Sequence, residues 1–241
     1  MLAVLTILVV AITDLIRLAR AHVTEATVQF VQLGWWIVLT VGVAIWVRPE
    51  AWAGAVASLV AAAWYYTAER MDGSEARERP PSASYAWSGV GVVVVIAGFA
   101  WLDIVVLGST VPDGVLWIAL ALFLTQTGNR ITRAVLLLSG RELGDDGVAA
   151  GAVPHSRLKG GRVIGPLERI FIMVLTVVGA YHVVAALMAA KGIVRFPEIS
   201  ADAKRDPTDA AAGTKAEEFL VGSLASWGLA GGAGLLAWML I

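Results

Sequence analysis

The run "IGPLERIFIMVLTVVGAYHVVAALMAAKGIVRF" (residues 164–196) decides how this chain folds. It is apolar for most of its length. Yet it opens on Gly165, Pro166, Glu168 and Arg169, carries Gly179 and His182 in its middle, and closes on Lys191 and Arg195. If the run crosses a bilayer once, its two charged ends face opposite sides. If it turns back, they meet. A single helical crossing takes about 20 residues and a full hairpin about 40, and this run falls between. A re-entrant hairpin breaking near Gly179 fits the length, because non-helical backbone is tolerated at membrane depth when protein or water buries it. The re-entrant hairpin is the preferred reading, and a single crossing is the alternative.

Composition places the whole chain in a membrane. Hydrophobic residues make up 58% and charged residues 15%, with a mean hydropathy of +0.76. Soluble chains average roughly 45–50% and about 25%. The net charge of −1 gives no bulk signal for nucleic acid, and the absence of cysteine excludes disulfides, thiolate metal sites and a cysteine nucleophile. The opening "MLAVLTILVVAI", followed by "ARA" at residues 19–21, imitates a signal peptide. No Lys or Arg precedes the apolar run, so cleavage is not expected.

Outside the deciding run, apolar length predicts spans at residues 2–16, 28–47, 51–66, 86–107, 115–127 and 219–241. Lys and Arg orient them, because cytoplasmic loops retain these residues. With the N-terminus outside, Arg17, Arg20, Arg70, Arg77, Arg79, Arg130, Arg133, Arg141, Arg157, Lys159 and Arg162 all fall inside, and Arg48 is the exception. Turning back at Gly179 also brings Lys191, Arg195, Lys204, Arg205 and Lys215 inside. Trp46 and Trp52 flank one outer turn and Trp101 and Trp117 the next, as an interfacial aromatic belt does. The stretch "TGNRITRAVLLLSGREL" repeats apolar residues at helical spacing among arginines and predicts an amphipathic extension along the inner surface. The predicted fold is therefore an all-α polytopic bundle of about six spans plus a re-entrant hairpin, or of seven spans. It divides into a five-helix region with its inner-face extension (1–143), a cytoplasmic loop (144–163) and a C-terminal membrane region (164–241).

Few residues suggest chemistry. "DGSEAR" at residues 72–77 matches part of the CDP-alcohol phosphotransferase signature, but the further aspartates that would complete a metal site are missing. No Gly-x-Ser-x-Gly elbow occurs, and His22, His155 and His182 do not pair at metal-ligand spacing. No cofactor and no metal are expected. His182 lies in an apolar segment, where an ionisable group is costly. It either serves a transport path or satisfies carbonyls freed by the Gly179 break. Asp14 and Asp103 lie near span ends and read as structural ion pairs, Asp14 with Arg17 one turn away. Gly228 and Gly232 form a GxxxG and predict close helix packing, within the bundle in preference to a dimer contact.

The start of the deciding run has the clearest ligand logic. Gly160, Gly161 and Gly165 free the backbone, Pro166 suits a first helical turn, and Arg162 and Arg169 flank that turn. Exposed N–H groups plus two guanidinium forks suit a lipid phosphate, although anchoring to anionic lipid explains the arginines equally well. A hairpin adds Lys191, Arg195 and Glu218 to Glu168 at the same rim.

Three ordered blocks, "KGGRVIGPLERIFIMVL", "AALMAAKGIVRFPEI" and "AEEFLVGSLASWGLA", resemble the C-terminal part of an uncharacterised bacterial inner-membrane family of the DUF3307 type. The resemblance carries Gly160, Gly161, Arg162, Gly165, Leu167, Glu168, Arg169, Ala189, Ala190, Lys191, Arg195, Phe196 and Glu218. It covers the last third of the chain. "GAYHVV" stands where the family has a polar Pro-Glu break, and the family's N-terminal half is not recognisable. The resemblance implies a bacterial inner-membrane location and no known activity. The function expected is that of a non-enzymatic membrane component binding anionic lipid headgroups or a protein partner in the membrane. A small transporter using Gly179 and His182 comes second, and an enzyme acting on a phospholipid or polyprenyl phosphate third.

Overall fold

The computed structural model describes residues 1–19, 23–46, 52–72, 83–108, 111–139, 161–205 and 211–241. At residues 46, 72, 83, 161–162, 195–196, 198–205 and 211–216 it describes the backbone alone. The described residues are helical and contain no strand. In chain order the helices are α1 (Leu2–Leu18), α2 (Glu25–Trp46), α3 (Trp52–Asp72), α4 (Ala83–Leu102), α5 (Asp113–Leu122), α6 (Gly128–Leu138), α7 (Gly161–Val177), α8 (Tyr181–Arg205) and α9 (Ala211–Leu240). A π turn, Asp103–Leu107, extends α4, and a second, Phe123–Thr127, joins α5 to α6 as one rod.

Helix α1 is the axis of the bundle. Its residues are apolar almost all round, and such a helix is stable only when covered on every side. The structure covers it with α2, α3, α4, α5 and the second π turn. Ile7, Val9, Val10, Ala11, Thr13 and Asp14 are all fully buried. A helix start buried in apolar surroundings needs acceptors for its free N–H groups. Asp103 supplies them from a hundred residues away. Its carboxylate accepts from the backbone N–H of Leu2 at 3.0 Å and of Ala3 at 2.8 Å, and the Met1 amine lies 2.7 Å from it.

Asp14 corrects an expectation. It does not pair with Arg17 on its own helix. It accepts from Arg130 of α6, from Thr127 Oγ1 at 2.7 Å and from Trp64 Nε1 at 3.0 Å. Arg17 instead donates to the Tyr65 carbonyl at 3.4 Å and lies 5.0 Å from the centre of that ring. The physical reason is burial: Asp14 is wholly enclosed, so its charge needs a cation and donors inside the bundle rather than at the rim.

Helix α6 is amphipathic, as expected of the segment after the fifth span, and its apolar face packs between α4 and α9, with Ile131, Ala134 and Leu137 buried. Gly89 of α4 allows the approach, since a Cβ there would meet Ala134 Cβ at 2.6 Å.

The pair Gly228 and Gly232 is exposed, and an added Cβ at either would meet nothing within 4 Å. Close packing of α9 happens at Gly234. A Cβ there would fall 2.6 Å from Thr176 Cβ and 2.8 Å from the Met173 carbonyl of α7. Backbone cannot yield as a side-chain tip can. Gly234→Ala is therefore expected to destabilise by about 1–3 kcal/mol, while Gly228→Ala leaves stability unchanged or slightly raised. Thermal unfolding of both variants in detergent checks the contrast.

Three helices are long and apolar enough to cross a membrane: Glu25–Ile45, Ser84–Leu107 and Glu217–Leu240. Of α8, the stretch Tyr181–Val194 is apolar.

Candidate functional site

The deciding run forms two helices and reverses between them. Helix α7 stops where Gly179 takes φ 73°, a left-handed conformation that glycine adopts without penalty. Ala180 N–H donates to the Leu175 carbonyl at 2.9 Å and Gly179 N–H to the Thr176 carbonyl at 3.1 Å. These two bonds make a Schellman cap, which satisfies carbonyls at a helix end. The chain then returns as α8. Glu168 and Lys191, 23 residues apart, meet across the hairpin, with Lys191 Nζ at 2.6 and 2.8 Å from the two carboxylate oxygens.

Helix α9 lies parallel to α7. Arg169 meets Ser226, Glu168 meets Trp227, and Thr176 meets Gly234, so the two helices advance together. Carrying that offset along places Gly179 level with Ala237, in the last turns of α9. Carrying it the other way places Glu218 level with the first turn of α7. Arg162 and Arg195 follow the same antiparallel register as Glu168 and Lys191. The backbones at Arg162, Lys191, Arg195 and Glu218 thus stand at one end of the bundle. The side chains of Arg162 and Arg195, and all of Gly160, lie outside the described residues.

The rim residues do different jobs. Glu168 is held by Lys191 and by the Trp227 indole N–H at 2.8 Å, and the Lys191 ammonium sits 5.3 Å from the centre of the Trp227 ring. The ion pair is partly exposed, Lys191 more than Glu168. Trp227 gave no functional signal in the sequence, although a buried indole N–H usually finds an acceptor.

Arg169 faces inward and is buried. Its Nε donates to the Leu124 carbonyl at 2.6 Å, and Nη2 to the Thr125 carbonyl at 3.1 Å and to Asn129 Oδ1 at 2.5 Å. Its Nη1 donates to Ser226 Oγ at 3.2 Å. Four of the five N–H groups of a guanidinium are thereby committed inside the bundle. The two carbonyl acceptors, of Leu124 and Thr125, come from the π turn, whose wide helix departs from the usual i+4 pairing, and the side-chain acceptors Asn129 and Ser226 come from α6 and α9. Gly128 and Gly165 leave room, since a Cβ on Gly128 would fall 3.0 Å from Arg169 Nε. One side chain ties α7 to the α5–α6 rod and to α9.

His182, expected within the apolar run, stands in the first turn of α8, at the hairpin tip, and is exposed on the protein surface. The reversal at Gly179 carries it to the far end from the charged rim. Asp72 closes α3, and the rest of "DGSEAR" lies outside the described residues. Among the described residues no three His, Asp or Glu side chains are grouped to hold a metal ion.

No family model matches this chain, and no curated protein or solved structure matches it. The resemblance to the DUF3307 type is neither supported nor contradicted by that result.

Proposed function

We propose that this chain is a multi-pass membrane protein of about six spans plus the α7–α8 hairpin, with its N-terminus outside. Its charged rim contacts anionic lipid headgroups on the inner face, and it acts without catalysis, alone or as a subunit of a membrane complex. The observation that carries this reading is the reversal at Gly179. It gathers the backbones of Arg162, Lys191 and Arg195 at the end of the bundle where α9 begins. Arg17, Arg70, Arg130 and Arg133 lie toward that same end, because α1, α3 and the α5–α6 rod run down to it from the opposite face. Segregation of this kind is what the positive-inside tendency produces.

The hairpin is re-entrant in this reading, with both ends inside. Helix α7 has 17 residues, or about 25 Å at 1.5 Å per residue, somewhat less than the roughly 30 Å of a bilayer core. Its tip then carries Tyr181 and His182 close to the outer interface, where aromatic side chains are favoured. A transport path through His182 gains no support from that position. The DUF3307-type resemblance fits the reading and adds the bacterial inner membrane as its location.

Native mass spectrometry of the detergent-extracted protein tests the lipid claim. Anionic phospholipid adducts are expected on the native chain, and at least a several-fold loss of them on the Arg162→Gln/Arg195→Gln double variant. Adducts of unchanged abundance on a folded double variant would return these residues to general surface anchoring. Arg169 is left intact in this test because its donors are spent on the bundle.

A further inference from the structure

Helix α2 packs against α3 and α1 and otherwise shows a broad apolar surface, including Phe30, Ile37, Val38 and Ile45. Its inward seam runs Val28, Gln32, Leu39 and Val43, all buried. Gln32 breaks that apolar seam. It is 1% exposed, and neither its carboxamide oxygen nor its nitrogen meets a hydrogen-bond partner among the described residues. The indole N–H of Trp35, one turn along, is likewise buried without a partner.

A buried carboxamide left without bonds loses its hydration with nothing in exchange, and buried polar groups in folded proteins are nearly always satisfied. The neighbouring turn supplies a polar setting. Trp36 Nε1 donates to Thr13 Oγ1 at 3.1 Å, and continuing that antiparallel register brings Gln32 level with Arg17 of α1. The Trp36 ring also stands edge-on to Tyr65 of α3, with centroids 6.0 Å apart. A ligand at Gln32 must be small, because the residue is enclosed. It must also both donate and accept, because the carboxamide does both. Water meets both conditions, and internal waters characteristically make two to four bonds to such groups.

We propose that the Gln32 carboxamide binds an internal water molecule between α2 and the α1–α3 pair. The water bridges the Gln32 carboxamide to the polar groups of α1 and α3. Helix α2 is then attached through solvent as well as through packing and its direct hydrogen bonds, Trp36 Nε1 to Thr13 Oγ1 and Thr40 Oγ1 with Ser58 Oγ.

Gln29, Gln32 and Gln126 are the chain's glutamines, so side-chain labelling with 15N-glutamine yields few signals. The detergent-solubilised native protein is expected to show a cross-peak between the Gln32 amide protons and water. Loss of the amide pair in Gln32→Met assigns it, or elimination with Gln29→Glu and Gln126→Glu if that variant does not fold. Gln32→Met removes the bonding groups at nearly constant volume and is expected to lower Tm by about 2–4 °C. Absence of the cross-peak overturns the proposal, because the carboxamide then has no water. A Gln32→Met variant as stable as the native chain, or more so, also overturns it, because an unbonded amide is relieved by its removal.

Discussion

Arg169→Met should lower Tm by about 6–12 °C, corresponding to about 3 kcal/mol. The loss comes from the acceptors more than from the arginine. Leu124 and Thr125 present their carbonyls, and Asn129 and Ser226 their side-chain oxygens, to one guanidinium. Methionine fills much of the same space and donates nothing, so these oxygens remain desolvated and unbonded. Arg169→Lys keeps the charge but replaces the planar fork with three donors on one nitrogen. It should recover part of the loss, since one ammonium cannot reach acceptors arranged around a fork. Thermal unfolding of the three proteins in one detergent measures the order native, lysine, methionine. A methionine variant within a degree or two of native would show that the π-turn carbonyls need no donor from α7.

Asp14→Leu should be comparably severe. It strands Trp64 Nε1 and Thr127 Oγ1 and leaves the Arg130 charge without its buried carboxylate. Removing one member of a buried ion pair costs about 3–5 kcal/mol, whereas replacing both members by apolar residues is often close to neutral. The Asp14→Leu/Arg130→Leu double variant should therefore be more stable than Asp14→Leu alone. A double-mutant cycle reads the coupling directly. If the two substitutions simply add, Arg130 is not the partner that matters to Asp14.

These two clusters share the α5–α6 rod, and they mark where sequence reading stopped. Apolar length and the positions of arginines were enough to predict an all-helical bundle, the turn at Gly179 and the meeting of Glu168 with Lys191. Those features are local: a glycine at a helix end, charges at both ends of one run. The pairings of Asp14 with Arg130 and of Asp103 with the start of α1 join residues about a hundred positions apart. Nothing in their neighbourhoods announces the partner. The π turn has no sequence signature either, although the polar run Thr125, Gln126, Thr127, Gly128 and Asn129 inside an apolar helix was a visible anomaly. Such a run is tolerated there because buried ions on both sides use it.

Arg169 shows the same limit from the other direction. Its place beside a helix start expected at Pro166 suggested a phosphate ligand, but α7 already begins at Gly161, so Pro166 and Arg169 lie within the helix, and the Arg169 side chain turns inward to oxygens supplied by other helices. Glu168, its neighbour in sequence, faces the rim. Adjacent helical positions point about 100° apart, so two neighbouring charges readily serve different surfaces. For the same reason the GxxxG of Gly228 and Gly232 misled: spacing defines a face, and tertiary packing selected the face of Ala230, Ala233, Gly234 and Ala237 instead.

The whole topology turns on which side of the membrane α8 ends. Because the chain has no cysteine, a single Ser200→Cys variant reports that position alone, with Val111→Cys, between α4 and α5, as the outward control. A membrane-impermeant maleimide applied to intact expressing cells should label position 111 and leave position 200 unlabelled until the cells are opened. Labelling of position 200 in intact cells, at the level of position 111, would place the end of α8 outside and contradict the convergence of Arg162, Lys191 and Arg195 on one inner rim.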